Sequence, residues 1–166
     1  VETGIGESAG EASLAVLKED ASFGLAVLAD LLRHPAFPED KIELEKIAMR
    51  DAIERRNDDP DAIASREFRR LLRGPDSAYG HQPELKTVNA IGRQDCVEYH
   101  HRFFQPENVI LGVWGDFKSA EMKAWIAGAF EDWPKGGGPR PVVPADDPAA
   151  ALKSGVFYIA KTDINQ

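Results

Sequence analysis

The side chains best suited to chemistry in this chain are its carboxylates, four histidines and one cysteine. The densest ionisable run is LEKIAMRDAIERRNDDP, Leu44 to Pro60, which reads as a helix entering a turn. It carries Glu45 and Glu54, carboxylates of the kind that ligate a metal or move a proton when other ligands converge on them. Zinc chemistry on a helix calls for two histidines and a glutamate, as H-E-x-x-H or H-x-x-E-H. His34, His81, His100 and His101 contain no pair at i, i+4. His100 and His101 are adjacent, so on a helix they point about 100° apart and cannot grip one ion. His34 falls in the last turn of a helix, where a cation suits the dipole, and His81 falls in a loop. None of the four is read as a ligand.

Nucleophilic chemistry finds no better footing. No G-x-S-x-G is present, and GIGES (residues 4–8) and GGG (136–138) read as turns. The lone Cys96 can neither staple the fold nor build a thiolate zinc site. It sits among helix formers in QDCVEYHHRFF and reads as a small buried side chain.

The 166 residues are 43% hydrophobic, enough for one soluble globular domain with a core. No charged n-region with an apolar h-region is visible, and no apolar run approaches the roughly 18 residues of a membrane span. The net charge is −8, and residues 1–60 hold 14 acidic side chains against 7 basic. Such a chain repels phosphate, so no nucleic-acid partner is expected. The local exception is REFRRLLR, Arg66 to Arg73, read as a solvated helix face answering the acidic first third.

These side chains must be positioned by elements legible from periodicity and caps. VETGIGESAGEASLAVLKED predicts two strands joined at a Gly/Ser-rich turn, the second alternating at Ala12, Leu14 and Val16 and covered on both faces. Asp20 offers an N-cap to a helix with Phe23, Val27, Leu28, Leu31 and Leu32 at helical spacing, stopped by Pro35. Phe37-Pro38 opens the Leu44–Pro60 helix, with Glu39 and Asp40 in its first turn and Arg55 and Arg56 in its last. Asp59-Pro60 caps a third helix, whose apolar face is Ala64, Phe68, Leu71 and Leu72.

After a loop at 74–83 come a short helix near Leu85–Ile91 and a longer one near Arg93–Phe104. Asn108 to Trp114, NVILGVW, predicts a central strand. A helix over 118–130 with Met122, Trp125, Ile126 and Phe130 on one face follows. PKGGGPRPVVPADDPAAAL reads as a linker, and GVFYIA, Gly155 to Ala160, as a last strand. The expected architecture is α+β, a mostly antiparallel sheet packed against several helices. Its expected division is a truncated half-domain over 1–134, a linker over 135–154 and a returning strand over 155–166.

The ordered series "LLRHPAFPEDKIELEK", "RRNDDP", "AYG", "YHHRFFQPENVILGVWGDF" and "FEDWP" resembles the pitrilysin/insulinase family of zinc peptidases, especially the branch like mitochondrial processing peptidase. The resemblance spans nearly the whole chain. It implies α+β half-domains that close in pairs around a peptide, with H-x-x-E-H on an early helix of the catalytic half and a distant glutamate completing the zinc site on a later one. In that later helix Glu45-Lys46 matches the family's Glu-Arg pair, and Asn57-Asp58-Asp59-Pro60 matches its turn. Both anchors put the zinc-binding glutamate at Ala52.

Seven residues are nearly two helical turns, so Glu45 and position 52 share a face with about 20° of drift. Alanine has no donor atom, and Glu54 is roughly 200° round the helix, able to replace it only after a register shift. A carboxylate facing the core without a metal would be an unpaired buried charge, and alanine removes that cost.

The resemblance therefore implies a non-catalytic half-domain, with no cofactor in this segment and zinc in catalytic members. It would help form a peptide-binding chamber with a homologous half-domain, in the same chain or a partner subunit. The alternative is a fragment of an active zinc metalloendopeptidase with H-x-x-E-H upstream of Val1. Compartment is open between bacterial cytoplasm and periplasm.

Overall fold

Proline, glycine and acidic caps divide this chain into short helices. The computed structural model describes residues 1–74, 77–136, 142–145 and 154–161. The chain divides into two units, Val1–Pro38 with Gly92–Val142, and Glu39–Ile91 with Val143–Gln166.

In the first unit, β1 (Glu2–Ile5) and β2 (Gly10–Ser13) form an antiparallel hairpin with Glu2 opposite Ser13 and Ile5 opposite Gly10. A 3-10 turn at Lys18–Asp20 leads into α1 (Ala21–Arg33). Asp20 stands at the predicted cap, but its side chain makes no capping bond. The buried stripe of α1 is Gly24, Leu25, Leu28 and Ala29, while Phe23 is 71% exposed. A Cβ at Gly24 would stand 2.9 Å from Leu14 Cδ2 and 3.2 Å from Val16 Cγ1, so glycine lets the 14–16 segment lie on the helix.

α1 packs against α6 (Ser119–Phe130), which buries Met122. Arg33 Nη1 fastens the pair, donating to the Ala129 carbonyl at 3.1 Å and pairing with Asp132 at 2.8 Å. α5 (Arg93–Phe103) starts where Asp95 accepts the Gly92 N–H at 2.7 Å. Near its end the buried His100 donates from Nε2 to the Leu32 carbonyl at 2.8 Å, with its ring stacked on Phe104.

In the second unit, α2 (Glu39–Arg55) buries none of its residues. α3 (Pro60–Arg73) begins with Asp59 accepting the Asp61 N–H at 3.0 Å and Pro60 in its first turn, the cap the sequence predicts. Its buried residue is Ile63, and Phe68 is 61% exposed. α4 (Leu85–Ala90) contributes Val88, the most deeply buried side chain described, and packs against α2.

The expected α+β class is overturned. Among the described residues the protein is mostly helical, and its sheet is the single hairpin. Residues 109–114 and 155–160 form no strand, and Ile110 and Trp114 are 96% and 86% exposed. The reason is physical: β-branched composition suits a pleated, half-buried surface, but a strand exists only where another backbone takes its hydrogen bonds. The second strand of the hairpin also ends at Ser13, and it is exposed at Gly10 and Glu11 and only half-buried at Ala12 and Ser13 rather than covered on both faces. Much of the expected linker, residues 137–141 and 146–153, lies outside the described residues.

Candidate functional site

The candidate site begins on α2, where helix formers from Glu39 to Arg55 make a run without an internal breaker. Glu45, Ala52 and Glu54 are all exposed on it. The expectation that position 52 faces a core is not met, so burial of a charge is not what alanine avoids in this chain. The carboxylate most perturbed on the helix is instead Glu43. Lys46, 2.8 Å away and hydrogen-bonded to it, holds its carboxyl below the ordinary 4.5, helped by Arg50.

Lys46 also ties α2 to the end of α4. Its ammonium donates to the Ile91 carbonyl at 2.9 Å and the Asn89 carbonyl at 3.3 Å, while Arg50 donates to Asn89 Oδ1 at 3.0 Å. The Lys of the Glu45-Lys46 pair therefore acts as a structural cation, saturating carbonyls that end a helix.

Glu45 has no second carboxylate one heptad on, and among the described residues no three His, Cys, Asp or Glu side chains converge. His34 is exposed and pairs with Asp30 at 3.0 Å, and His81 and His101 are exposed. His100 is spent on the Leu32 carbonyl. Cys96 is half-buried and free.

Where the α2–α3 junction meets the loop before α4, the second unit has a polar groove of about 340 Å³ that the sequence reading missed. Its walls come from Arg56 and Asn57, from Arg66, Glu67 and Arg70 on α3, and from residues 80–84. Arg66 spans the junction: Nη1 donates to the Arg56 carbonyl at 2.7 Å, Nη2 to Asn57 Oδ1 at 2.8 Å, and Nε to Glu67 Oε1 at 3.3 Å. Arg56 reaches across to the Pro83 carbonyl at 3.2 Å. The loop wall is tight, because Gly80 donates to Ser77 Oγ at 2.8 Å and a Cβ there would run into the Gly74 carbonyl. The available signals were the i, i+4 pair Arg66 and Arg70 on one helix face and the glycine at 80.

Residues 90–166 match the family described as the peptidase M16 inactive domain. The chain is 27% identical over 120 residues to a Bacillus subtilis protein named as an uncharacterized zinc protease, YmxG, covering 70% of this chain and 29% of that relative. It is likewise 27% identical over 117 residues to an uncharacterized zinc protease of Mycobacterium leprae, covering 69% and 26%. A Rickettsia bellii protein of the same description is 25% identical over 114 residues, covering 64% and 26%. The chain thus spans less than a third of the length of these curated relatives. The matched inactive domain opens at Ala90, so α2 lies outside it.

Proposed function

We propose, from the premise that this chain is a non-catalytic half-domain of the pitrilysin/insulinase (M16) zinc peptidases, that it serves as the passive jaw of a peptide-binding chamber. It would pair with a homologous catalytic half-domain, in the same chain or in a partner subunit. The observation that carries this reading is the match of residues 90–166 to the inactive domain of the family. The residues of α2 agree with it: Glu45 is kept, while Ala52 offers no donor at the position we assign to the zinc ligand. Glu54 is exposed on the same helix, roughly 200° round from position 52.

In this reading zinc belongs to the catalytic half, and no step of hydrolysis runs through residues 1–166. The passive half supplies surface: groups that hold a peptide in place while the other half cleaves it. The test is metal analysis, proteolysis and peptide titration on the full protein with its partner. Zinc content and cleavage should be unchanged by Glu45→Gln and Glu54→Gln, while peptide binding should require this half. Loss of stoichiometric zinc in either variant would return the half-domain to the catalytic class.

A further inference from the structure

Neither Glu45 nor Ala52 lines the polar groove of the second unit. It gathers three guanidinium groups, Arg56, Arg66 and Arg70, against two carboxylates, Glu67 and Glu84. Their states differ. Arg66 is fixed on three sides by the Arg56 carbonyl, Asn57 and Glu67. Arg56 is held at one nitrogen by the Pro83 carbonyl. Arg70 approaches Glu67 only to 3.8 Å, too long for a hydrogen bond, and its side chain is 54% exposed. Among the described residues no group accepts from its guanidinium. His81 also lines the groove.

We infer that this groove is a carboxylate-binding site, with Arg70 as the residue that grips the ligand and Arg66 as the residue that holds the site in shape. Three cations and two anions leave a surplus of one positive charge with His81 neutral, which matches one carboxylate. A phosphate dianion or a polyanion would meet Glu67 and Glu84 at close range, in a chain already at −8. A guanidinium offers two parallel N–H donors at the spacing of carboxylate oxygens, and pairing with a charged acceptor makes those bonds stronger than neutral ones. Arg66 leaves that task to Arg70, because its own donors are turned to the junction.

This inference deepens the peptide-chamber reading and rests on it for the source of the carboxylate, either the free C-terminus of a peptide or an acidic side chain within one. Three probes separate the sources on the full protein: acetyl-tetraalanine as the free acid, the same peptide amidated, and an amidated acetyl-peptide with one internal Glu. We expect one or both carboxylate-bearing peptides to bind at least about tenfold more tightly than the neutral amide, the cost of losing one charge-assisted hydrogen-bonded pair. Preference for the free acid assigns the C-terminus, and preference for the internal Glu assigns the acidic side chain. Arg70→Gln should abolish the preference with the melting temperature nearly unchanged, since the half-exposed 3.8 Å approach of Arg70 to Glu67 adds little to stability. Arg70→Lys keeps the charge and loses the fork, and should recover only part of the preference.

Equal binding of all three probes overturns the inference and leaves the chamber reading standing. A preference that survives Arg70→Gln overturns it too. Failure of all three to bind removes both readings.

Discussion

Arg66 donates to the main-chain carbonyl of Arg56, ten residues earlier, at 2.7 Å, so one side chain closes the corner between two helices. That carbonyl lies just past the last residue of α2, where helix carbonyls lack partners within the helix. Arg66→Ala removes three bonds at once and leaves the Asn57 side chain and the Arg56 carbonyl to solvent. We expect a loss of about 1–3 kcal/mol, read by denaturant unfolding. Amide exchange should quicken first at residues 53–58. A variant as stable as the parent, with unchanged exchange, would place the hinge strength elsewhere.

His100 is the one buried polar side chain described, and its bond to the Leu32 carbonyl fastens α5 to the end of α1. His100→Ala leaves that carbonyl unpaired and removes a ring stacked 4.8 Å from Phe104. Together these predict a loss of about 2–4 kcal/mol. His100→Gln, which can still donate, should recover part of it. Equal stability of the two variants would show that ring packing alone matters there.

Ala52→Glu puts back the carboxylate that the family resemblance places at this position. The site is exposed and helical, so the change should shift stability by no more than about 0.5 kcal/mol. Zinc content of this half should stay at background, because among the described residues no second pair of donors meets Glu45. Zinc at one equivalent in the variant would mean that the remaining ligands come from chain not described here.

Two ion pairs give the stability an acid-side slope. Arg33, hydrogen-bonded to Asp132, holds that carboxyl below its ordinary 3.8, and Lys46 does the same for Glu43 below 4.5. A carboxylate with a depressed folded-state pKa contributes stability that is whole above its unfolded value. That stability is lost as pH falls through the folded value. Both carboxylates are solvent-exposed, so the effect is small and salt-sensitive. Melting temperatures below pH 5 should therefore fall less steeply in Asp132→Asn and Glu43→Gln than in the parent. Parallel slopes would show that neither pair persists in solution.

The helices of this protein are legible in its sequence because their boundaries are written locally. Asp59-Pro60 announces α3, and Pro35 closes the reading of α1, each within a few residues of the observed end. The hairpin at the start was legible from its turn, but the larger sheet expected around it was not to be had from the sequence, because NVILGVW says only that the chain could pair, and pairing depends on a second backbone that the segment does not encode. Helical faces were half legible. Leu28 is buried as its spacing suggests, but Phe23 and Phe68 point outward, since periodicity finds a stripe and not the neighbour that covers it.

The groove escaped notice for the same reason. Arg66 to Arg73 looked like one solvated face, yet Arg66 and Arg70 do different things once residues 56–57 and 80–84 arrive beside them. Such convergence from three separated segments leaves only faint traces in any one of them.

Gly24 sets a mechanical tolerance in the first unit. Alanine would favour α1 by about 1 kcal/mol as a helix former, but its methyl would press on Leu14 and Val16. Leu14 can swing its tip away. Val16 cannot do so cheaply, because branching at its Cβ stiffens the side chain. One absent methyl thus acts as a spacer gauge: it fixes how near the segment leaving the hairpin rides to the helix axis, and any added thickness has to be taken up by the backbone of residues 14–16.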